Sequence, residues 1–187
     1  VREKNPDVLY TDESAFSDET EMQVAGYFGV PHLKPDFSPD LLLCHNYITH
    51  LLVVRKAFVD DVGGPRSEFD GAQDFDFLLR LTEKTDKIEH IAEPLYHWRQ
   101  SAQSTSLDTG AKPQAHSRGA RALKDALGRR GIEGEVLTAN APHFFRVRRR
   151  IIGTPSVTII IPFRDQPRLL QKCLSSILAR TRYANFQ

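Results

Sequence analysis

Residues 7–14 have the sequence DVLYTDES, in which an apolar run passes directly into acids and a hydroxyl. The apolar half predicts a short strand, and Asp12 and Glu13 then lie at its C-terminal end with Ser14. Paired carboxylates in that position are a common way to hold an oxygen-binding divalent cation. The alternative is an acidic turn in which Asp12 only caps the next segment.

The best helix of the chain lies at Gln73–Lys84, with sequence QDFDFLLRLTEK. Its apolar residues keep the helical spacing of one buried stripe. Asp74 and Asp76 both fall in its first turn, about 200° apart at about 100° per residue, so at most one can face a substrate. We favour Asp74 as a proton acceptor because Gly71 and Gln73 open the backbone around it. The alternative is a helix acid that only complements the helix dipole.

Shorter elements surround this helix. Tyr47–Arg55 is rich in β-branched residues and predicts a buried strand, and residues 88–91 and 95–98 predict two short strands separated by Pro94. A second helix is expected from Pro113 to Arg130. Residues 143–151 alternate between an apolar and a basic face, which predicts an exposed strand whose arginines are solvated or bind phosphate.

The segment Tyr96–Arg99, with sequence YHWR, offers two further polar groups. A neutral His97 imidazole can ligate a metal, and the Arg99 guanidinium can bind phosphate through two hydrogen bonds. The alternative is that Trp98 is ordinary core and His97 is satisfied beside it. The remaining histidines show no metal-ligand spacing and receive no role: His32, His45, His50, His90, His116 and His143.

A second strand signal lies at residues 157–161, with the continuous β-branched run VTIII. Such a run is typical of a strand buried on both faces of a parallel sheet. Pro162 ends it, and apolar residues at helical spacing follow from Leu169 to Leu178. Strand, turn and helix in this order form half of a βαβ unit.

Composition excludes several classes of protein. The 187 residues carry 25 Lys and Arg against 24 Asp and Glu, a net charge of +1, so no overall field attracts nucleic acid or a membrane surface. Apolar runs are far shorter than the roughly 20 residues that span a bilayer. We therefore expect no nucleic-acid partner and no transmembrane segment.

Taken in order, four blocks resemble bacterial family-2 glycosyltransferases with the GT-A fold. They are DVLYTDES, PHLKPDFSPDLLLCHNYITHLLVVRK, VGGPRSEFDGAQDFDFLLRL and IEHIAEPLYHWRQSAQST, within residues 7–106. The resemblance implies an α/β protein: a partial, Rossmann-like GT-A fold whose incomplete mixed sheet is flanked by helices. It also implies an inverting, nucleotide-sugar-dependent enzyme of cell-envelope polysaccharide synthesis in the cytoplasm, with a nucleotide-sugar donor and a saccharide acceptor as partners.

The resemblance also assigns roles to residues. Asp12 matches the first acid of the family's Asp-x-Asp metal site, Glu13 lies between, and Ser14 stands where the second acid usually is. The implied cofactor is Mn²⁺ or Mg²⁺, bound by Asp12 and His97 beside the donor diphosphate, which Arg99 also contacts. Asp74 falls on the general base, with Gly71 and Gln73 on the acceptor side, and residues 103–105 resemble a mobile loop.

The tail SVTIIIPFRDQPRLLQKCLSSILARTRY resembles the N-terminal opening of the same family. Pro162, Arg164 and Asp165 then lie at the nucleotide. This order implies the C-terminal part of one transferase domain at 1–110, a helix and basic strand linker at 111–155, and the start of a second domain at 156–187. We expect the strand at 157–161 to pair with the strand at 7–11 of its own or another copy, as a route to self-association.

The leading functional prediction is sugar transfer with inversion, in which Asp74 deprotonates an acceptor hydroxyl. On this resemblance we expect most of the nucleotide pocket to come from residues outside the 187, and the fragment alone to be inactive. The alternatives are a non-catalytic saccharide- or nucleotide-binding scaffold, which Ser14 favours, and a metal-dependent phosphohydrolase using Asp12, Asp74 and His97. All the enzymatic hypotheses require these three side chains to converge on one cleft.

Overall fold

The computed structural model describes residues 4–16, 29–99 and 113–187. The expected mobile loop, Gln103, Ser104 and Thr105, lies outside the described residues. Two compact units form, Val1–Arg149 and Arg150–Gln187; their assignment to two transferase domains stays a prediction. In the described ranges, no helix is both long enough and apolar enough to cross a bilayer.

The first unit is built on a mixed four-stranded sheet around the central strand β1 (Val8–Phe16). Strand β4 (Ile88–Arg99) runs parallel to β1 along one edge. The other edge is shared by two antiparallel strands, β3 (Leu52–Val54) beside Val8–Tyr10 and β2 (Val30–His32) beside Glu13–Ala15. The expected mixed α/β fold is therefore confirmed, and it is compatible with a partial Rossmann-like fold.

Strand β1 is longer than its apolar run predicts, since Asp12, Glu13 and Ser14 lie within it and not at its end. The prediction of two strands separated by Pro94 is also wrong, because β4 continues through this residue. Pro94 lies opposite Asp12, where the register between β1 and β4 shifts. A proline has no N–H to donate, so the ladder bulges at that point and then resumes.

Helices cover one face of this sheet. They are α1 (Pro39–Leu42), α2 (Lys56–Val62), α3 (Gln73–Leu81) and α4 (Pro113–Arg129), with a 3-10 turn at Ser67–Phe69. The predicted stripe of α3 is confirmed, since Phe75, Leu78 and Leu79 are buried in the core. The predicted strand at 47–55 shrinks to β3, because Tyr47 and Ile48 pack into the core from an irregular segment.

Helix α4 and the hairpin of β5 (Gly134–Thr138) and β6 (Phe145–Arg149) belong to the same unit. Ala122, Leu123 and Ala126 of α4 and Phe145 of β6 join the core formed by α3. The alternating pattern at 143–151 is thus confirmed as a strand. Two of its arginines form ion pairs, Arg148 with Glu135 and Arg149 with Asp40.

The second unit contains the helix α5 (Pro167–Arg180), as its spacing predicts. The strand predicted at 157–161 is wrong: this segment is exposed, with Ile160 at 86% of its maximum, and forms only a bridge from Val157 to Phe186. Burial on both faces needs neighbouring strands and helices on each side of a sheet, whereas the 38-residue unit supplies the single helix α5. The expected pairing with residues 7–11 is also wrong, because β3 and β4 occupy both edges of Val8–Tyr10.

Candidate functional site

The acids of β1 lie in a group of polar side chains that we name the acid cluster: Asp12, Glu13, His32, Lys34, His50 and His90. Asp12 is buried, and its Oδ1 accepts a hydrogen bond from the Lys34 backbone N–H at 2.8 Å. The same oxygen lies 2.8 Å from Nε2 of His90, whose side chain is also buried. Asp12 therefore joins β4 to the segment after β2.

Glu13 has a partner on each carboxylate oxygen. Oε1 lies 3.0 Å from both His32 Nδ1 and Thr49 Oγ1, and Oε2 lies 2.9 Å from His50 Nδ1. The Lys34 ammonium is 3.8 Å from Oε1, and this side chain is completely buried. Its Nζ also donates to the backbone carbonyls of Ile48 and His50. The cluster therefore contains its own fixed cation.

Electrostatics agree with this geometry. Burial alone would raise the pKa of Glu13, but hydrogen bonds from His32, His50 and Thr49 and the charge of Lys34 outweigh it and lower the pKa to about 2. Burial in turn lowers the pKa of Lys34, opposed by the two acids. The cluster is thus held by mutual charge compensation.

The residues of the cluster do not fit a divalent-cation centre. Both oxygens of Glu13 and Oδ1 of Asp12 already have hydrogen-bond partners from the chain, and no three His, Cys, Asp or Glu side chains in the described ranges are grouped to hold a metal. Ser14 is buried and forms a hydrogen bond of 2.7 Å with Nδ1 of His97. His97, which the resemblance implies as a metal ligand, is therefore bonded to Ser14, the residue that stands in place of the usual second acid.

Asp74 lies in a different environment, a cavity of about 480 Å³ that we name the Asp74 pocket. Its walls combine aromatic rings, small residues and a few polar groups. The lining residues are His45, Asn46, Thr49, His50, Gly71, Ala72, Asp74, Phe75, Trp98, Ala115, Gly119, His143, Phe144 and Phe145. Cavities of this size and character are usual for small-molecule sites.

The Asp74 carboxylate is exposed but oriented. Oδ1 accepts from the Phe75 backbone N–H at 2.8 Å, and Oδ2 accepts from the Asn46 amide at 3.1 Å. Asp76, two positions along α3, is completely buried and paired with Arg66 and Arg80. Of the two acids in this first turn, Asp74 alone is available to a ligand.

Cluster and pocket are neighbours. Thr49 and His50 contact Glu13 and also line the pocket, and His50 stacks on Tyr96 with ring centroids 4.9 Å apart. Asp12 and His97 are not among the residues that line it, so the expected convergence of Asp12, Asp74 and His97 on one cleft is not found, and a reaction in this pocket would rest on Asp74 without them. Glu13 is therefore the acid of β1 that is connected to the Asp74 pocket, through Thr49 and His50.

The other predicted residues are dispersed. The Arg99 guanidinium lies over the Phe16 ring, 5.5 Å from its centroid. Gln73 accepts a hydrogen bond from the Gly71 backbone N–H, which closes the turn before Asp74; Gly71 has a φ of 90°. In the second unit, Pro162 is exposed, and Arg164 and Asp165 form an exposed ion pair.

Sequence reasoning missed most of the residues around the carboxylates. His32, His50 and His90 were given no role, yet each contacts an acid of the cluster. His45 and Asn46 were also missed, although a polar His-Asn pair between apolar runs was the available signal. The contact from Asn46 joins it to Asp74, 28 positions along the chain, and local periodicity does not encode such a contact.

Comparison with known proteins gives two long relatives, and no protein-family model matches the chain. The O-antigen biosynthesis protein RfbC of Myxococcus xanthus is 45% identical over 180 residues, which cover 96% of this chain and 14% of that protein. The uncharacterized protein y4gI of Sinorhizobium fredii (strain NBRC 101917 / NGR234) is 41% identical over 192 residues, which cover 100% of this chain and 20% of that protein. The chain therefore spans no more than about a fifth of the curated relatives it matches.

Proposed function

We propose that this chain acts in the synthesis of cell-surface polysaccharide, and that it carries the acceptor side of an inverting glycosyltransferase. The name of the relative from Myxococcus xanthus supports the first part. The single observation that supports the second is the exposed, oriented carboxylate of Asp74 in a cavity large enough for a sugar ring.

In the proposed reaction, an acceptor hydroxyl lies beside Asp74 and attacks the anomeric carbon of a nucleotide-sugar donor. Asp74 accepts the hydroxyl proton as the new carbon–oxygen bond forms. The bond from the anomeric carbon to the diphosphate breaks on the opposite face, and the nucleoside diphosphate leaves with the bonding electrons. Attack and departure on opposite faces invert the anomeric configuration.

We assign distinct roles to the other predicted residues. Gly71 and Gln73 shape the turn that presents Asp74. His97 and Arg99 are exposed on β4 and remain our candidates for donor contacts, as do Pro162, Arg164 and Asp165 of the second unit. No step is assigned to a divalent cation, because both oxygens of Glu13 and Oδ1 of Asp12 already bond to other groups of the chain.

A non-catalytic saccharide-binding scaffold is the second candidate. The bond between Ser14 and His97 favours it, since one implied metal ligand is bonded to the residue that replaces the second acid. A phosphohydrolase has less support, because Asp12 and His97 do not line the cavity that contains Asp74.

One assay separates these functions. The protein is incubated with labelled nucleotide sugars and a panel of saccharide acceptors, and the products are analysed by NMR. Transfer with inversion of the anomeric configuration is expected. Saccharide binding without a product would favour the scaffold, and release of inorganic phosphate without an acceptor would favour the phosphohydrolase.

A further inference from the structure

We infer that the Asp74 pocket selects a neutral, hydroxyl-rich ring, and that His45 and Asn46 are the residues that recognise its hydroxyl groups. The choice of a saccharide rests on the proposed function. The selection against anionic ligands and the two recognising residues go beyond it.

Two buried polar atoms of the pocket residues have no partner in the described part of the chain, Nδ1 of His45 and Oδ1 of Asn46. Buried polar groups without a hydrogen bond are rare in folded proteins because leaving them unpaired costs free energy. Both atoms belong to adjacent residues at the same wall of the cavity. A ligand in the pocket can supply these partners once the two side chains shift slightly toward the cavity, because neither atom is reached from the empty cavity.

The chemistry of Asn46 fixes what that partner must be. Its amide nitrogen donates to Asp74, so its Oδ1 is the remaining atom and can only accept a hydrogen bond. A flipped amide would turn this oxygen toward the carboxylate, which also only accepts. The ligand must therefore present a donor to Asn46, and it must present a second donor to Asp74. Adjacent hydroxyl groups on one ring meet both requirements.

The charge of the pocket excludes an anion. Asp74 contributes a carboxylate, and the described lining residues include no lysine and no arginine. Burial lowers the pKa of His45, which keeps this imidazole neutral near pH 7. A phosphate or carboxylate in this cavity would face the like charge of Asp74 with no lysine or arginine among the described lining residues to compensate it. The diphosphate of a donor therefore belongs outside the pocket.

The walls suit the apolar face of a ring. His45 stacks on Phe144 with centroids 4.4 Å apart, and Trp98 and Phe145 also line the cavity. Gly119 has no side chain, which lets helix α4 lie close against the Phe145 ring at this wall. Flat aromatic walls with a few converging polar groups are typical of sites that orient a small ligand.

Trp98 makes the test direct, because it is the single tryptophan of the chain and lines the pocket. We would titrate the 187-residue chain with methyl glycosides of glucose, galactose and mannose, and with the matching uronic acids, while recording tryptophan fluorescence. Each pair differs only by a carboxylate in place of a hydroxymethyl group. At least one neutral glycoside should bind saturably, and its uronic acid should bind at least about tenfold more weakly.

Variants test the two recognising residues. Asn46→Ala should weaken binding of the neutral glycoside about 3- to 10-fold, the effect of one hydrogen bond. His45→Phe keeps a ring against Phe144 but removes the acceptor, and it should weaken binding similarly. Gln171→Ala removes an exposed amide of the other unit and should leave binding unchanged. Circular dichroism verifies that each variant is folded. If Asn46→Ala does not fold, the binding measured for His45→Phe tests the inference.

Three results would overturn the inference: no neutral glycoside binds, the uronic acids bind as tightly, or both variants bind like the original chain. Binding that behaves as expected without any sugar transfer would leave this inference standing and remove the proposed enzymatic function. Sugar transfer to an acidic acceptor would remove this inference and leave the proposed enzymatic function standing.

Discussion

The acid cluster and the Asp74 pocket both contain carboxylates, and they differ in how their polar atoms are satisfied. Both oxygens of Glu13 have partners from the chain, and a buried ammonium lies 3.8 Å away. Asp74 is held by one amide and one backbone N–H but remains exposed to a cavity. Two buried atoms of the neighbouring residues His45 and Asn46 have no partner among the described residues.

This difference separates structural from chemical use of the same side chain. A carboxylate whose partners all come from the protein stabilises the fold, and removing one partner leaves an uncompensated buried charge. A carboxylate with an open side can bind a ligand, and its loss should affect stability little. The free energy of unfolding therefore distinguishes the two sites without knowledge of the substrate.

The largest effect on stability is expected for Lys34→Met. This change leaves Glu13 without its ammonium and the carbonyls of Ile48 and His50 without a donor. Unfolding by urea should show a loss of about 3–5 kcal/mol. Lys124→Met, at an exposed position of α4, should be nearly neutral. A loss below about 1 kcal/mol for Lys34→Met would mean that the cluster does not depend on its cation.

The next effect concerns pH. The folded pKa of Glu13, about 2, lies below its ordinary value of 4.5, so its contribution to stability is complete above about pH 4.5 and is lost as the pH falls toward 2. At about 1.4 kcal/mol per pH unit, this contribution is roughly 3 kcal/mol.

Urea unfolding at a series of pH values measures this contribution. Glu13→Gln should flatten the profile in that window, whereas Glu93→Gln, at an exposed position of β4, controls for the loss of a carboxylate as such. An unchanged profile in Glu13→Gln would contradict the proposed charge compensation.

A smaller effect is expected at the wall of the pocket. A Cβ at Gly119 would lie 3.0 Å from Cζ of Phe145 and 3.8 Å from Cδ1 of Phe75, whereas a Cβ at Gly128 of the same helix meets nothing within 4 Å. Gly128→Ala should stabilise the chain by about 0.5–1 kcal/mol. Gly119→Ala should be less stable than Gly128→Ala by about 1–3 kcal/mol and should weaken glycoside binding. Equal stability of the two variants would mean that the Phe145 ring moves to accommodate the added methyl group.

The sequence predicted the elements better than it predicted the sites. The spacing of Phe75, Leu78 and Leu79 was sufficient for α3, because one turn of helix repeats its buried face. The run at 157–161 led to a wrong prediction of a buried strand. Its β-branched residues favour a strand but say nothing of the neighbours that would bury it.

The candidate site was predicted in part for a similar reason. Asp74 was separated from Asp76 by the angle between them on the helix, and the structure buries Asp76 as that choice requires. The partners of Asp12 and Glu13 could not be predicted, since His32, His50 and His90 come from three separate segments. Only the tertiary fold brings such residues together.

The most direct test of the account is Asp74→Asn, which keeps the shape of the side chain and removes its basicity. The rate of sugar transfer should fall by about 10²- to 10⁴-fold, the usual contribution of a general base. The free energy of unfolding should stay within about 0.5 kcal/mol of the original value, because the carboxylate is exposed. An Asp74→Asn protein that transfers sugar at the original rate would contradict the assignment of Asp74 as the base.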